Sequence, residues 1–154
     1  MTETSIPPTP EFLIQLRRTY QAIRVRLDSE LAATGLTTPQ YIVLGLLEQQ
    51  GELSSSALAR QSLVTAQTMD VLVKGLEGCG LVARRRHPGH GRILLVGLTS
   101  SGRAALALGR EVALEVQAKV LEALRPDEQR QLVRHLRAVE EATSRRGTQV
   151  AAQA

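Results

Sequence analysis

Between Leu81 and Thr99 the helical spacing that governs most of this 154-residue chain gives way to two short apolar runs around a glycine-broken tip. Leu81-Val82-Ala83 leads into Arg84-Arg85-Arg86, a tip of His87-Pro88-Gly89-His90-Gly91-Arg92 turns the chain, and Ile93 to Leu98 returns as β-branched and aliphatic residues. Proline and glycine at such a tip, flanked by aliphatic runs, predict a β-hairpin. A solvated edge strand carries mixed charge or lysine to discourage pairing. Here the charge is of one sign and gathered at one end, with no neighbouring Asp or Glu expected to neutralise it. The hairpin is therefore expected to face a polyanion.

The rest of the chain reads as helices. Pro10 can open the first, in which Phe12, Leu16, Tyr20, Ile23, Leu27 and Leu31 form one apolar stripe and Arg17, Arg18, Arg24 and Arg26 fall largely off it. Gly35 stops it. Thr37 to Gln40 has the form of a capping box and starts a second helix that Gly51 breaks. Ser54 and Thr65 cap two further helices, the first with Leu58 and Ala59 inward, the second with Met69, Leu72, Val73 and Leu76 inward, ended by Gly78 and Gly80. An arginine-rich hairpin directly after such a helix pair is the arrangement of a winged helix-turn-helix, which grips duplex DNA. Thr99-Ser100 then caps a long helix, and Pro126-Asp127-Glu128 opens a last one, with Leu132, Val133, Leu136 and Val139 as its expected buried face.

The predicted fold is mainly α with a small β-wing. Residues 1–9 form a flexible arm, 36–99 the winged helix-turn-helix, and 144–154 a flexible tail. Residues 10–35 and 100–143 are dimerisation helices: they are apolar over more surface than a small reading head can cover, and such ends usually meet a second copy of themselves. A two-fold axis would set two reading helices in successive major grooves about 34 Å apart. A net charge of +4 and a pI near 10 agree with a polyanionic partner without requiring one.

Other chemistry is thin. The lone Cys79 excludes an internal disulfide and suits a reducing cytoplasm. No secretory signal or bilayer-spanning run is visible, so a soluble cytoplasmic protein is expected. His87 and His90 fall short of the four ligands zinc wants, beside arginines that oppose a cation. No nucleophile with a positioned base appears, and no enzyme activity, metal or cofactor is expected. A ligand pocket is expected between the first, second and fifth helices, with Arg17 and Arg24 for a carboxylate and Tyr20 and Tyr41 for a ring.

Leu36-Thr37 with Gln40 and Leu44, Leu53-Ser54 with Leu58-Ala59, Leu76-Glu77 with Gly80-Leu81-Val82, Arg84-Arg85, and Leu98-Thr99 with Gly102-Arg103 together resemble the MarR family of bacterial transcriptional regulators. The resemblance implies a homodimer on a pseudo-palindromic double-stranded operator, usually a repressor, relieved by a small aromatic or phenolic effector. It places Gln67, Thr68, Asp70, Val71 and Lys74 in the major groove, with Gln67 able to pair adenine and Asp70 to accept from cytosine. Arg84, Arg85, Arg86, His90 and Arg92 then form the wing contact. Arg92 resembles the family's minor-groove arginine, and His90 stands where family wings usually carry an Asp. A winged helix that docks a protein and has weak or no DNA affinity is the competing reading.

Overall fold

The computed structural model describes residues 10–89 and 91–151, with side chains as far as residue 143. It is mainly helical with one small antiparallel sheet, as the periodicity predicts. Two compact units divide the chain, one ending at Val116 and the other beginning at Gln117.

The first unit begins with α1 (Glu11–Leu31) and a 3-10 turn (Ala32–Thr34), closed by Gly35 at φ +74°. Thr37 starts α2 (Thr38–Gln50): its hydroxyl accepts from Gln40 N–H, while Gln40 Oε1 accepts from Thr37 N–H at 2.9 Å. Leu53–Ser54 forms a short strand, β1, that helical spacing gives no hint of. Ser54 also caps α3 (Ser55–Gln61), and Thr65 caps α4 (Ala66–Gly78) by accepting from Thr68 N–H at 3.1 Å. The hairpin strands are β2 (Val82–Arg86) and β3 (Leu94–Leu98), and the sheet order is β1-β3-β2. Leu53 and Arg84 flank Val96 from either side.

Thr99 starts α5 (Ser100–Leu121), accepting from Gly102 N–H at 3.0 Å. Leu44, Leu47, Leu58, Met69, Val73, Leu76, Val82, Val96 and Leu106 close into a single core under the sheet and the helix pair. Burying that many aliphatic side chains, each worth about 1.5–3 kcal/mol, holds α3, α4 and the hairpin as one body.

The stripe expected on α1 is covered only at its end. Leu31 is buried and Ile23 and Leu27 are half-buried, whereas Phe12, Leu16 and Tyr20 stand exposed.

The second unit holds the end of α5 and α6 (Pro126–Ala151). Glu128 Oε2 accepts from Arg125 N–H at 2.8 Å, and Gln129 Nε2 donates to the carbonyls of Leu121 and Leu124, so side chains satisfy the polar groups of the turn. Two expectations need correction. Leu132, Val133, Leu136 and Val139 share a face, yet each is more than a third exposed. The helix also runs on to Ala151 instead of loosening at Ser144. A single glycine inside a helix costs only about 1 kcal/mol relative to alanine, so Gly147 need not stop it.

Candidate nucleic-acid interface

Three inward residues, Met69, Val73 and Leu76, pin α4 to the core. The helical period then turns Gln67, Thr68, Val71 and Lys74 outward. All four are exposed, Val71 by 67%. An apolar side chain so exposed on a helix N-terminal half is suited to a thymine methyl group.

The arginines of the hairpin divide into two kinds. Strand alternation puts Arg84 on the same face as the buried Val82, against α4. Its side chain is only 18% exposed. Nη2 lies 3.3 Å from Asp70 Oδ1, and Nε lies 3.3 Å from Glu77 Oε2, an ion pair without hydrogen-bond alignment. Arg85 takes the opposite face and is ion-paired and hydrogen-bonded to Glu52. The Glu52 side chain crosses Gly97 to reach it: a Cβ at Gly97 would lie 3.0 Å from Glu52 Cγ. The expectation that no acid neutralises the arginine run is therefore wrong for Arg84 and Arg85. The acids come from α4 and from the residue before β1, which strand chemistry does not reveal.

Arg86 and Arg92 have no acid partner among the described residues. His90 lies outside the described residues. At the tip, His87 N–H donates to Ile93 O at 2.8 Å, and Gly89 N–H donates to His87 Nδ1 at 3.0 Å, so His87 shapes the turn.

Asp70 is exposed enough to reach a base, but both its oxygens are engaged. Oδ2 lies 3.1 Å from Lys74 Nζ and Oδ1 faces Arg84. Lys74, and after it Arg84, hold the carboxyl below the usual carboxylate range, and Arg85 does the same for Glu52.

The candidate ligand residues do not all come together. Tyr20 and Arg24 line a cleft of about 270 Å³, whose other walls are α2, the α3–α4 turn and α4. The expected pocket also included α5, which does not line this one. Ile42, Val64 and Leu72 make it apolar, and Ser62 Oγ is buried there without a hydrogen-bond partner. Thr68, in the first turn of α4, lines it too. Arg24 Nε lies 3.5 Å from Asp28 Oδ2, while Asp28 Oδ1 accepts from Thr38 N–H at 2.9 Å. The Thr38 hydroxyl sits beside that carboxylate without the alignment of a hydrogen bond. Thr38 holds the Asp28 carboxyl low, its N–H being the aligned hydrogen bond, and Arg24 adds to it. Arg17 lies instead in a groove on the face of α1, with Ile14 and Val25. Tyr41 packs against the core, its ring filling the notch at Gly109, where a Cβ would come within 2.9 Å of it. Tyr41 is thus a packing residue.

Among the described residues no helix is long and apolar enough to cross a membrane, and no group of His, Cys, Asp and Glu could hold a metal ion. Cys79 is exposed at the end of α4.

The architecture has close counterparts. The MarR family model matches residues 34–93. The HTH-type transcriptional repressor Rv2887 of Mycobacterium tuberculosis is 36% identical over 121 residues, which cover 79% of this chain and 87% of that protein. Its structure with p-aminosalicylic acid is 33% identical with a TM-score of 0.71, covering 82% of this chain and 96% of that one. Its structure with DNA is 32% identical with a TM-score of 0.70, covering 88% and 98%. With the family model matching the helix pair and the start of the hairpin, and a relative 36% identical over 79% of its length, the chain belongs to the MarR family.

Proposed function

We propose that this chain is a transcriptional repressor that binds a specific operator as a homodimer and is released by a small aromatic acid. One observation carries the reading. The outward face of α4, with Gln67, Thr68, Val71 and Lys74, is exposed beside a hairpin on which Arg86 and Arg92 have no acid partner among the described residues. Gln67 and Val71 supply base-edge chemistry, and the free arginines supply phosphate or minor-groove contact. The relative solved with DNA supports the assignment.

Dimerisation is supported by two bare apolar surfaces. Phe12, Leu13, Ile14 and Leu16 stand exposed on α1, and Leu132, Val133, Leu136 and Val139 on α6. Large exposed apolar patches are rare on monomers and mark interaction surfaces.

The effector reading rests on the cleft at Tyr20 and Arg24. A guanidinium there can take a carboxylate, the apolar walls a ring, and the unpaired Ser62 hydroxyl a ring substituent. Thr68 joins that cleft to the reading helix, so an occupant presses on the first turn of α4. The relative solved with p-aminosalicylic acid is in keeping with such a ligand.

Binding of the purified chain to the DNA around its own gene, measured across salt concentrations with and without salicylate, tests the reading. Log affinity should fall linearly with log salt and salicylate should weaken binding. Absence of salt-dependent duplex binding would overturn it.

A further inference from the structure

We propose that Arg84 is a positioning residue which braces the hairpin against the reading helix and withdraws Asp70 from base recognition, rather than a cation that meets DNA. The inference rests on the DNA-binding reading above and goes beyond it, because it divides the arginines of the hairpin by role.

Arg84 is the least exposed charged group in the region, and its guanidinium is committed to two acids. Asp70 and Glu77 lie about two helical turns apart on α4, so a planar fork between them fixes the helix in rotation as well as distance. A lysine, with one compact charge, could not span both. Meeting a phosphate would require Arg84 to release both carboxylates and leave the face it shares with Val82.

The same contacts settle what Asp70 is free to do. A carboxylate on a reading helix can accept from cytosine N4, and when unpaired it repels phosphate. Here Lys74 holds one oxygen and Arg84 the other. Asp70, Glu77, Lys74 and Arg84 together carry no net charge, so the cluster neither attracts nor repels the duplex as a whole. Base reading falls to Gln67, Thr68 and Val71, which carry no charge at all.

A charge-conserving pair of substitutions separates the two roles. Arg84→Met should weaken operator binding about ten-fold, by unbracing the helix and exposing Asp70. Adding Asp70→Asn should recover a substantial part of that loss and return the slope of log affinity against log salt to the wild-type value. Loss of about 0.9 from that slope in the double variant is the mark of a removed phosphate contact and overturns the proposal. Strict additivity of the two substitutions overturns it as well. Asp70→Asn alone, at a half-exposed site, should leave the base preferences of selected duplexes unchanged; lost preference for C·G at one position would show that Asp70 reads a base.

Thermal unfolding without DNA tests the brace itself. Arg84→Met should lower Tm by about 3 °C in the wild-type background and by less when Asp70→Asn and Glu77→Gln are already present. Equal losses in both backgrounds overturn the brace, whatever the chain does with DNA. A wild-type chain that binds no duplex counts instead against the regulator reading, and this second measurement still decides the brace.

Discussion

A Cβ on Gly102 would lie 1.9 Å from the carbonyl oxygen of Leu81, so the first turn of α5 is laid directly on the entry to β2. No flexible side-chain end could yield to relieve that contact, because the obstacle is backbone. Gly102→Ala is expected to cost about 2–3 kcal/mol by overpacking, outweighing the roughly 1 kcal/mol that alanine gains over glycine inside a helix. Urea denaturation should show a lower midpoint at unchanged slope. An unaltered midpoint would mean the junction yields at little cost.

Thr99 ties the same junction with its hydroxyl. It donates toward Gly80 O at 2.7 Å, with Leu81 O at 3.1 Å, and accepts from Gly102 N–H at 3.0 Å. Thr99→Ala should therefore lose about 1–2 kcal/mol in chemical denaturation, the usual range for a removed helix cap. A loss within experimental error would show that water replaces the hydroxyl without penalty.

Leu63, between α3 and α4, has φ +54° and is 94% exposed. Such a conformation is unfavourable for a side chain bearing Cβ, and exposure leaves little packing to lose. Leu63→Gly is predicted to stabilise the fold by about 0.5–1 kcal/mol, the strain relief exceeding the entropy glycine loses on folding. A fall in Tm would mean the leucine makes contacts that outweigh its strain.

Arg86 and Arg92 should behave differently from Arg85 in DNA binding. Arg86→Ala and Arg92→Ala should each remove about 0.9 from the salt slope while leaving oligomeric state unchanged. Glu52→Gln should tighten binding several-fold, because it frees the Arg85 guanidinium for the backbone. Identical slopes across the set would remove the hairpin from the interface.

Acid should weaken the fold through three carboxylates. Asp28, Glu52 and Asp70 are all held low, by Thr38 and then Arg24, by Arg85, and by Lys74 and then Arg84. A depressed folded value means the unfolded chain binds the proton more tightly. The stabilisation is complete above the unfolded value of about 4 and is lost as pH falls through the lower folded values. Asp28→Asn should accordingly make the decline of Tm below about pH 4 shallower. Parallel acid limbs for the two proteins would contradict this.

Local signals made much of the architecture legible. Thr37, Ser54, Thr65 and Thr99 are caps whose partners lie three residues on, and the hairpin declares itself through its own glycines. The acid partners of the arginines were hidden because Glu52 is 33 residues from Arg85 and Asp70 is 14 from Arg84. One clue was available: a strand period of two carries Arg84 inward with Val82, where a bare guanidinium cannot remain.

The ligand candidates show a different limit. Tyr20 and Tyr41 look alike along a helix, yet one lines a cleft and the other fills the notch at Gly109. Only the partner surface distinguishes them. In the same way, the spacing of Leu132, Val133, Leu136 and Val139 marks a face that wants cover without saying what supplies it.

Ser54 belongs to the sheet and at the same time heads α3, while Val96, beside Leu53 in that sheet, is wholly enclosed by the core. A fragment truncated before the hairpin would thus lose both a core residue and the neighbour of the residue on which α3 is seated. The helices that would read a sequence and the wing beside them therefore form an indivisible folding unit, and a minimal DNA-binding segment cut from this protein has to extend at least through β3.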